Sequence, residues 1–279
     1  MRLAVIGIGL MGGSLALTLK RKGFVSYVIG VDNNAQHQTE AMALGLVDEI
    51  MTLEKAVKSS DIIAIATPVN IAEKLLPTIL DIVDQQVVFD VGSTKESIVN
   101  IANCHLKKGR FVPTHPMWGT EFSGPSAAQQ DAFLEKATVI CNADKVDADA
   151  LQKVEALYKA LGMHIVNMDA IKHDIHVAYV SHISHITSFA LANTVLEKEK
   201  ESDAIFQLAS GGFESTVRLA KSNAAMWVPI FMQNKENVLD VLNEHISQLR
   251  KFKACLEKEN FDYLSELIEN ANGIKRILK

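Results

Sequence analysis

Cysteine is scarce in this sequence. Its 279 residues contain three cysteines, Cys104, Cys141 and Cys255, odd in number and far apart. That excludes a disulfide framework or a cysteine-based zinc site and reads as reduced cytosolic thiols. The longest apolar stretches are strand-length or carry polar residues, which excludes a membrane span. No cationic, apolar leader precedes the first strand, placed from residue 2, so a cytoplasmic protein is expected. Charge of one sign is also lacking. The 28 basic and 33 acidic residues are scattered and leave a net charge of −5, so neither a nucleic-acid footprint nor a polybasic membrane patch is present. Internal repeats and low-complexity segments are absent. With 48% hydrophobic residues, a chain of this length buries one large core or two ordinary ones, and two domains are expected.

What is present begins at once. Val5-Ile6-Gly7-Ile8-Gly9-Leu10-Met11-Gly12 carries an apolar strand into Gly-x-Gly-x-x-Gly, and Leu15 to Lys20 continues as a helix. Gly7 serves the tight turn, Gly9 the close approach of a pyrophosphate, and Gly12 the packing of helix on strand. The helix N-terminus then offers free N–H groups and the positive end of its dipole to phosphate. Gly7, Ile8, Gly9, Leu10, Met11 and Gly12 are therefore the candidate dinucleotide loop. A second apolar run, Val25 to Val31, ends at Asp32. A carboxylate there accepts hydrogen bonds from both ribose hydroxyls and repels a 2′-phosphate. Asn33 and Asn34 supply no cation to offset that repulsion, so NAD is expected over NADP.

Further along, a helix is expected from Ala35 to Leu44, then a buried strand Asp61–Ala66 ended by Thr67-Pro68, and a helix Val69–Leu80. Val87–Val91 reads as a strand. In Gly92-Ser93-Thr94-Lys95-Glu96, Ser93 and Glu96 have capping-box spacing and predict a helix start. Arg110–Pro113 reads as a short strand running into Thr114-His115-Pro116. Ala137–Cys141, a helix Asp147–Leu161 and a strand Met163–Val166 complete the half. The alternation predicts a doubly wound parallel sheet of Rossmann type over residues 1–167, with ligands gathering at the carboxyl ends of strands. Thr67, Ser93 and His115 all fall at such ends.

Residues 168–279 have a different period. Strand-like runs cease, no proline occurs between Asp169 and Pro229, and helices are expected at 169–199, 203–209, 213–221, 224–258 and 260–278. A helix of about thirty residues spans about 45 Å, more than so small a domain covers alone. The apolar residues Val177, Val180, Ile183, Phe189 and Leu191 are therefore expected to meet a second copy, giving a homodimer through the helical domain.

Among the reactive side chains, His115 suits a proton acceptor facing the nicotinamide, since imidazole titrates near neutrality. Ser93 is either a helix cap or a second polar group at the reacting end. His173, His176, His182 and His185 share one helical stretch, with Ser181 and His185 on one face. No carboxylate or cysteine at ligand spacing completes a metal site, and a polar substrate wall is the better reading. Arg218, placed near the N-terminus of the 213–221 helix, is a cation against the dipole and requires compensation. Either a bound carboxylate or a structural glutamate supplies it. Trp227 is either core or a pocket wall.

Taken in order, Gly7 to Ala16, Thr67-Pro68, Asp90-Val91-Gly92-Ser93-x-Lys95, Thr114-His115-Pro116-Met117-x-Gly119, Ser181-His182-x-x-His185 and Gly212-Phe213 with Arg218 resemble the prephenate/arogenate dehydrogenase family of tyrosine biosynthesis. The resemblance runs from the first strand to about Trp227. It implies an NAD-binding Rossmann domain, a helical dimerisation domain, and oxidative decarboxylation of prephenate to 4-hydroxyphenylpyruvate. It further implies that His115 takes the C4 hydroxyl proton, Ser93 orients it, Arg218 binds a substrate carboxylate, and His185 with Ser181 contacts the side-chain end. By the same resemblance His173, Glu121, Ser222 and Trp227 line or gate the pocket. Two departures stand out. Trp118 follows His-Pro-Met where many relatives have a small residue, and is expected to narrow the pocket. Ser215 stands where arogenate-using relatives carry an acid, which leans toward prephenate, although Glu214 adjoins it. The family's appended chorismate mutase or ACT domains are not expected. Arogenate dehydrogenase is the alternative. A β-hydroxyacid dehydrogenase would need a catalytic lysine for which Lys172 and Lys221 are poor candidates, and a non-catalytic NAD-binding protein would not need His115 and Arg218.

Overall fold

The computed structural model describes residues 1–199 and 208–277. The helix expected at 203–209 therefore lies mostly outside the described residues. Two compact units are distinguished, residues 1–234 and 235–279.

The first unit is built on six parallel strands, β1 (Arg2–Ile6), β2 (Tyr27–Val31), β3 (Glu49–Ile50), β4 (Ile62–Ile65), β5 (Val87–Asp90) and β6 (Phe111–Val112). Their order is β3-β2-β1-β4-β5-β6, so the order reverses between β1 and β4, where doubly wound sheets bind ligands. Strand alternation sends Leu3 and Val5 to one face and Ala4 and Ile6 to the other, and both faces are buried. On the first face α1 (Leu10–Arg21), α2 (Ala35–Ala43) and α6 (Ala148–Leu161) bring Leu15, Leu19, Ala41, Val154 and Leu157. On the second, α3 (Leu53–Lys58), α4 (Val69–Ile82) and α5 (Glu96–Asn103) bring Val57, Leu76, Ile79 and Ile98. Each such aliphatic side chain contributes about 1.5–3 kcal/mol on burial.

The later strands depart from the expected single sheet. β7 (Thr114–Pro116), β8 (Ala137–Cys141) and β9 (His164–Met168) form a separate three-stranded sheet, with β7 antiparallel to β8 and β8 parallel to β9. Pro113 supplies the break: lacking an N–H, it cannot extend the β6 ladder. Its carbonyl instead accepts from Cys141 N.

The first helix after β9 is α7 (Ala170–Val177), capped by the Asp169 carboxylate on Ile171 N and Lys172 N. A single π-helical turn, Ala178–His182, joins it to α8 (Ile183–Glu199). α9 (Gly211–Val217) passes into a 3₁₀ turn, Arg218–Lys221, and α10 (Ala224–Gln233) follows. The uninterrupted helix expected over 224–258 is not formed. Asn234 leaves helical geometry (φ −104°, ψ 28°) and turns its amide inward onto the Asp174 carbonyl. The expected dimer face is also partly consumed within the chain. Val177 is buried, and Phe189 packs with Val69, Trp227, Ile230 and Phe231, while Val180 remains exposed.

The second unit consists of α11 (Lys235–Glu257) and α12 (Phe261–Ala271), packed on each other and joined through Glu259, whose φ is +52°. At about 1.5 Å per residue α11 is about 35 Å long. Among the described residues no helix is long and apolar enough to cross a membrane.

Candidate active site

At Gly7 and Gly12 the glycine loop is set by contacts that leave no room for a side chain. Gly7 has φ +93°, and a Cβ there would stand 2.6 Å from the Ala66 carbonyl oxygen. A Cβ on Gly12 would run into the Gly7 carbonyl and come within 2.7 Å of Val5 Cγ1. Gly9 has open space where its Cβ would be. Leu10 and Met11 open α1, and Ile8 N donates to Asp32 Oδ2 at 3.0 Å while Asn34 N donates to Oδ1 at 2.9 Å. His37, a neighbour not considered from the sequence, places Nδ1 3.6 Å from Oδ2.

Gly7, Gly9, Asp32 and Thr67 line a cavity of about 1000 Å³ whose apolar wall includes Leu53 and Ile71. The Thr67 hydroxyl is buried without a hydrogen-bond partner. An open cradle over Gly9, a carboxylate at the tip of β2 and an orphan hydroxyl at the tip of β4 fit the phosphate and ribose of a dinucleotide.

His115 is carried on β7 by a buried polar knot. Lys95 is wholly buried, and its ammonium donates to the Asp90 carboxylate and, at 2.8 Å, to the Thr114 carbonyl. Thr114 N donates to Asp90 Oδ1 at 3.1 Å, and Gly92 N to Asp90 Oδ2 at 2.9 Å. The Thr114 hydroxyl meets the Tyr158 hydroxyl at 2.5 Å. The knot locks the start of β7 onto the carboxyl end of β5, which holds His115 beside the nucleotide-binding sheet. His115 is 8% exposed. Burial, then the nearby His173, Lys95 and His182, hold its imidazole well below the usual histidine range, so the ring is neutral near pH 7.

Ser93 does not cap α5. The N-cap residue is Lys95, with no side-chain cap of its own. The free N–H groups of Lys95 and Glu96 are taken instead by the Asp174 carboxylate, at 2.8 and 2.9 Å. Ser93, half-buried beside this turn, is thus not consumed in capping. His173 is wholly buried rather than set in a pocket wall, with Nε2 2.8 Å from His115 Nδ1 and Nδ1 2.7 Å from Asp174 Oδ1.

Arg218 sits at the C-terminal end of α9, not its N-terminus as the sequence implied. There a cation is favoured by the dipole. Its guanidinium donates to Glu121 Oε2 at 2.9 Å and is 49% exposed. Glu121 is held below the usual carboxylate range by its own backbone N–H and by Arg218. Of the two compensations the sequence left open, a glutamate partner is in place.

The remaining histidines separate in role. His176 is exposed and bonds the Lys172 carbonyl. His182, buried in the π turn, accepts from Asn234 Nδ2 at 3.2 Å, and burial lowers its pKa to about 4. His185 bonds the Ser181 backbone oxygen, not the hydroxyl, at 3.1 Å, and stacks on Trp227 with ring centroids 3.5 Å apart. Trp227 is buried, in contact with Ile230 and Val69, and its indole N–H is unpartnered. Ser222 is half-buried at the end of the 3₁₀ turn. Trp118 packs edge-on against Phe133 and is not among the residues lining the large cavity. Asp174 and Asn234 were not singled out from the sequence. Asp174 directly follows His173, but nothing in the spacing shows that it is buried.

This geometry has relatives. Residues 15–167 match the family model described as prephenate dehydrogenase, nucleotide-binding domain, and residues 169–270 match prephenate dehydrogenase, dimerization domain. The chain is 30% identical to the prephenate dehydrogenase of Bacillus subtilis over 96% of its own length and 74% of that protein. It is 28% identical to the cyclohexadienyl dehydrogenase of Zymomonas mobilis over 99% and 96% of the two chains. Among solved structures, prephenate dehydrogenase from Aquifex aeolicus in complex with hydroxyphenyl propionate and NAD+ superposes with a TM-score of 0.89 at 30% identity, covering 99% of this chain and 97% of that one. Synechocystis arogenate dehydrogenase superposes with a TM-score of 0.77 at 26% identity over the whole of both chains. With a nucleotide-binding half and a dimerization half matched in sequence and the whole architecture matched in space, this chain belongs to the prephenate dehydrogenase family of oxidoreductases.

Proposed function

We propose that this protein oxidises and decarboxylates prephenate, with NAD as hydride acceptor, to give 4-hydroxyphenylpyruvate, carbon dioxide and NADH. The observation that carries the reading is His115: a buried imidazole, neutral near pH 7, with one ring nitrogen engaged by His173 and the other left for substrate, on a strand tied to the carboxyl end of β5 in the nucleotide-binding sheet. NAD, held by Gly7, Ile8, Gly9, Leu10, Met11, Gly12, Asp32 and Thr67, supplies the hydride acceptor. His115 accepts the C4 hydroxyl proton as the C4–H bond breaks. Loss of the ring carboxylate then leaves its bonding pair to complete the aromatic ring, and His115 returns the proton to the phenolic oxygen. The step is driven by aromatisation, so the protein's task is to hold the ring and manage one proton. Ser93 orients the hydroxyl. Arg218 grips a substrate carboxylate, taking it in exchange for or alongside Glu121, and His185, Ser181, Ser222 and Trp227 form the walls.

Prephenate is favoured over arogenate because Ser215 offers no carboxylate to an ammonium group, and its hydroxyl is engaged with the Gly212 carbonyl. The working division is a nucleotide-binding domain over residues 1–167 and a substrate and dimerisation domain over 168–279. The protein acts in the cytoplasm as a homodimer, to which the exposed Val180, Leu249, Leu256, Phe261 and Ile268 offer apolar surface. Absorbance growth at the NADH band on mixing the protein with NAD and either prephenate or arogenate tests the reading. A higher kcat/KM for prephenate is expected, and no NADH from either substrate would overturn it.

A further inference from the structure

Asp174 belongs to α7, and its carboxylate does two jobs, one on α5 and one on the neighbouring His173. Its carboxylate receives Lys95 N and Glu96 N, the first free donors of α5, and it receives His173 Nδ1. It is 2% exposed, and its backbone carbonyl is tied to Asn234. A helix cap needs no histidine, and a histidine anchor needs no cap. Their union fixes the loop bearing Ser93 and the ring beside His115 to a single group.

The proton inventory follows from donors and acceptors. A carboxylate only accepts, so His173 carries its proton on Nδ1, facing Asp174. One further proton lies between His173 Nε2 and His115 Nδ1, which are 2.8 Å apart. Left on His173, it would create a second buried cation close to Lys95, in a ring with no solvent exposure. On His115 Nδ1 both rings remain neutral, and the bare nitrogen of His115 is Nε2, the one not spent on His173. We propose that Asp174 is a positioning residue for the reaction: through His173 it sets the tautomer of His115, so that Nε2 is the nitrogen that receives the substrate's hydroxyl proton. This rests on the function proposed above for His115. When His115 takes that proton on Nε2, its Nδ1–H is already directed at His173, and the charge that develops is answered by the Asp174 carboxylate two hydrogen bonds away. The other charged or titratable groups facing this chain are Lys95 from the turn before α5, Asp90 from β5, and His182 from the π turn.

In Asp174→Asn, one carbonyl oxygen and one amine face three donors. In the unmodified protein Oδ1 receives both Lys95 N and His173 Nδ1 while Oδ2 receives Glu96 N. With the amine in the Oδ1 place Glu96 N stays capped, Lys95 N loses its acceptor, and His173 Nδ1 must accept. Its proton shifts to Nε2, and His115 is driven to the Nε2–H tautomer, which is not a base at that position.

Nitrogen NMR of histidine-labelled protein reads the tautomer without any turnover. In the unmodified protein His115 is expected to give a protonated, pyrrole-like Nδ1 and a bare, pyridine-like Nε2. In Asp174→Asn the two signals exchange character, and kcat falls by about 10²-fold or more, the direction seen when the carboxylate of a histidine dyad is neutralised. KM for prephenate and affinity for NAD stay unchanged. A protonated Nε2 on His115 in the unmodified protein, or a folded Asp174→Asn protein with unchanged kcat, overturns the proposal. If the variant does not fold, the spectrum of the unmodified protein decides alone. Failure of the unmodified protein to oxidise prephenate would overturn the assigned function and leave the spectrum to judge the tautomer.

Discussion

Replacing Lys95 by methionine isolates the buried charge on which the placement of His115 depends. The ammonium is wholly buried and makes hydrogen bonds to the Asp90 carboxylate and the Thr114 carbonyl. Methionine keeps most of the aliphatic stem and removes only the charge and its donors. Asp90 then retains Thr114 N and Gly92 N but becomes a buried carboxylate with no cation. Breaking one side of such a pair costs about 3–5 kcal/mol, most of it the stranded charge. At about 2–4 °C per kcal/mol for a chain of this size, Tm falls by roughly 6–20 °C. Urea unfolding followed by tryptophan fluorescence and by circular dichroism measures the loss, and agreement of the two probes licenses the two-state figure. Adding Asp90→Asn should recover part of it, because the stranded carboxylate is gone. The same variant carries a catalytic signature. Lys95 is one of the charges that lower the His115 pKa, so its removal moves the acid limb of kcat/KM to higher pH. A loss below about 1 kcal/mol, the scale of a solvent-screened pair, would refute the reading of a sealed ion pair.

Other expectations follow from the site. His115→Asn should lower kcat by about 10²–10⁴-fold, as for loss of a positioned proton acceptor, with NAD affinity unchanged in a binding titration. Arg218→Gln should act mainly on KM for prephenate, and steady-state kinetics showing a fall in kcat alone would contradict a carboxylate-gripping role. His115 must be neutral to accept a proton, and burial, with His173, Lys95 and His182 nearby, holds its pKa well below the usual 6.5. Activity should therefore persist as pH drops through 6.5, and a kcat/KM profile that collapses at or above 6.5 would count against it. His182, at about 4 in the fold, binds its proton more readily once unfolded. Stability from this group should then decline as pH falls from 6.5 toward 4, which denaturant midpoints across that range will report.

The parts of the fold that could be read from the sequence are those set by local rules. Gly7 and Gly12 stand where a side chain would collide with backbone, and Asp32 closes β2 where the apolar run stops. The apolar runs at 62–65 and 87–89 became central strands buried on both faces. What failed required knowledge of distant partners. Ser93 and Glu96 have the spacing of a cap, but a carboxylate 79 positions from Lys95 takes the donors. Arg218 fell at a helix C-terminus because the helix, begun at Gly211, already ends at Val217, short of the expected 221. The 224–258 periodicity is continuous in pattern, but it is interrupted at Asn234, whose amide is bonded to Asp174 and His182. His173 was grouped with its helical neighbours, whereas its decisive contact is 58 residues away on β7.

The carboxylate of Asp174 also limits how this enzyme can be taken apart. The family's two segments meet near residue 168, which invites chimeras that join one relative's cofactor half to another's helical half. A graft made at that seam separates α5 from its cap and His115 from its anchor unless the incoming α7 brings an acid and an imidazole at the same two places. Exchange of substrate preference by domain shuffling is thus expected to succeed only with donors that preserve this pair.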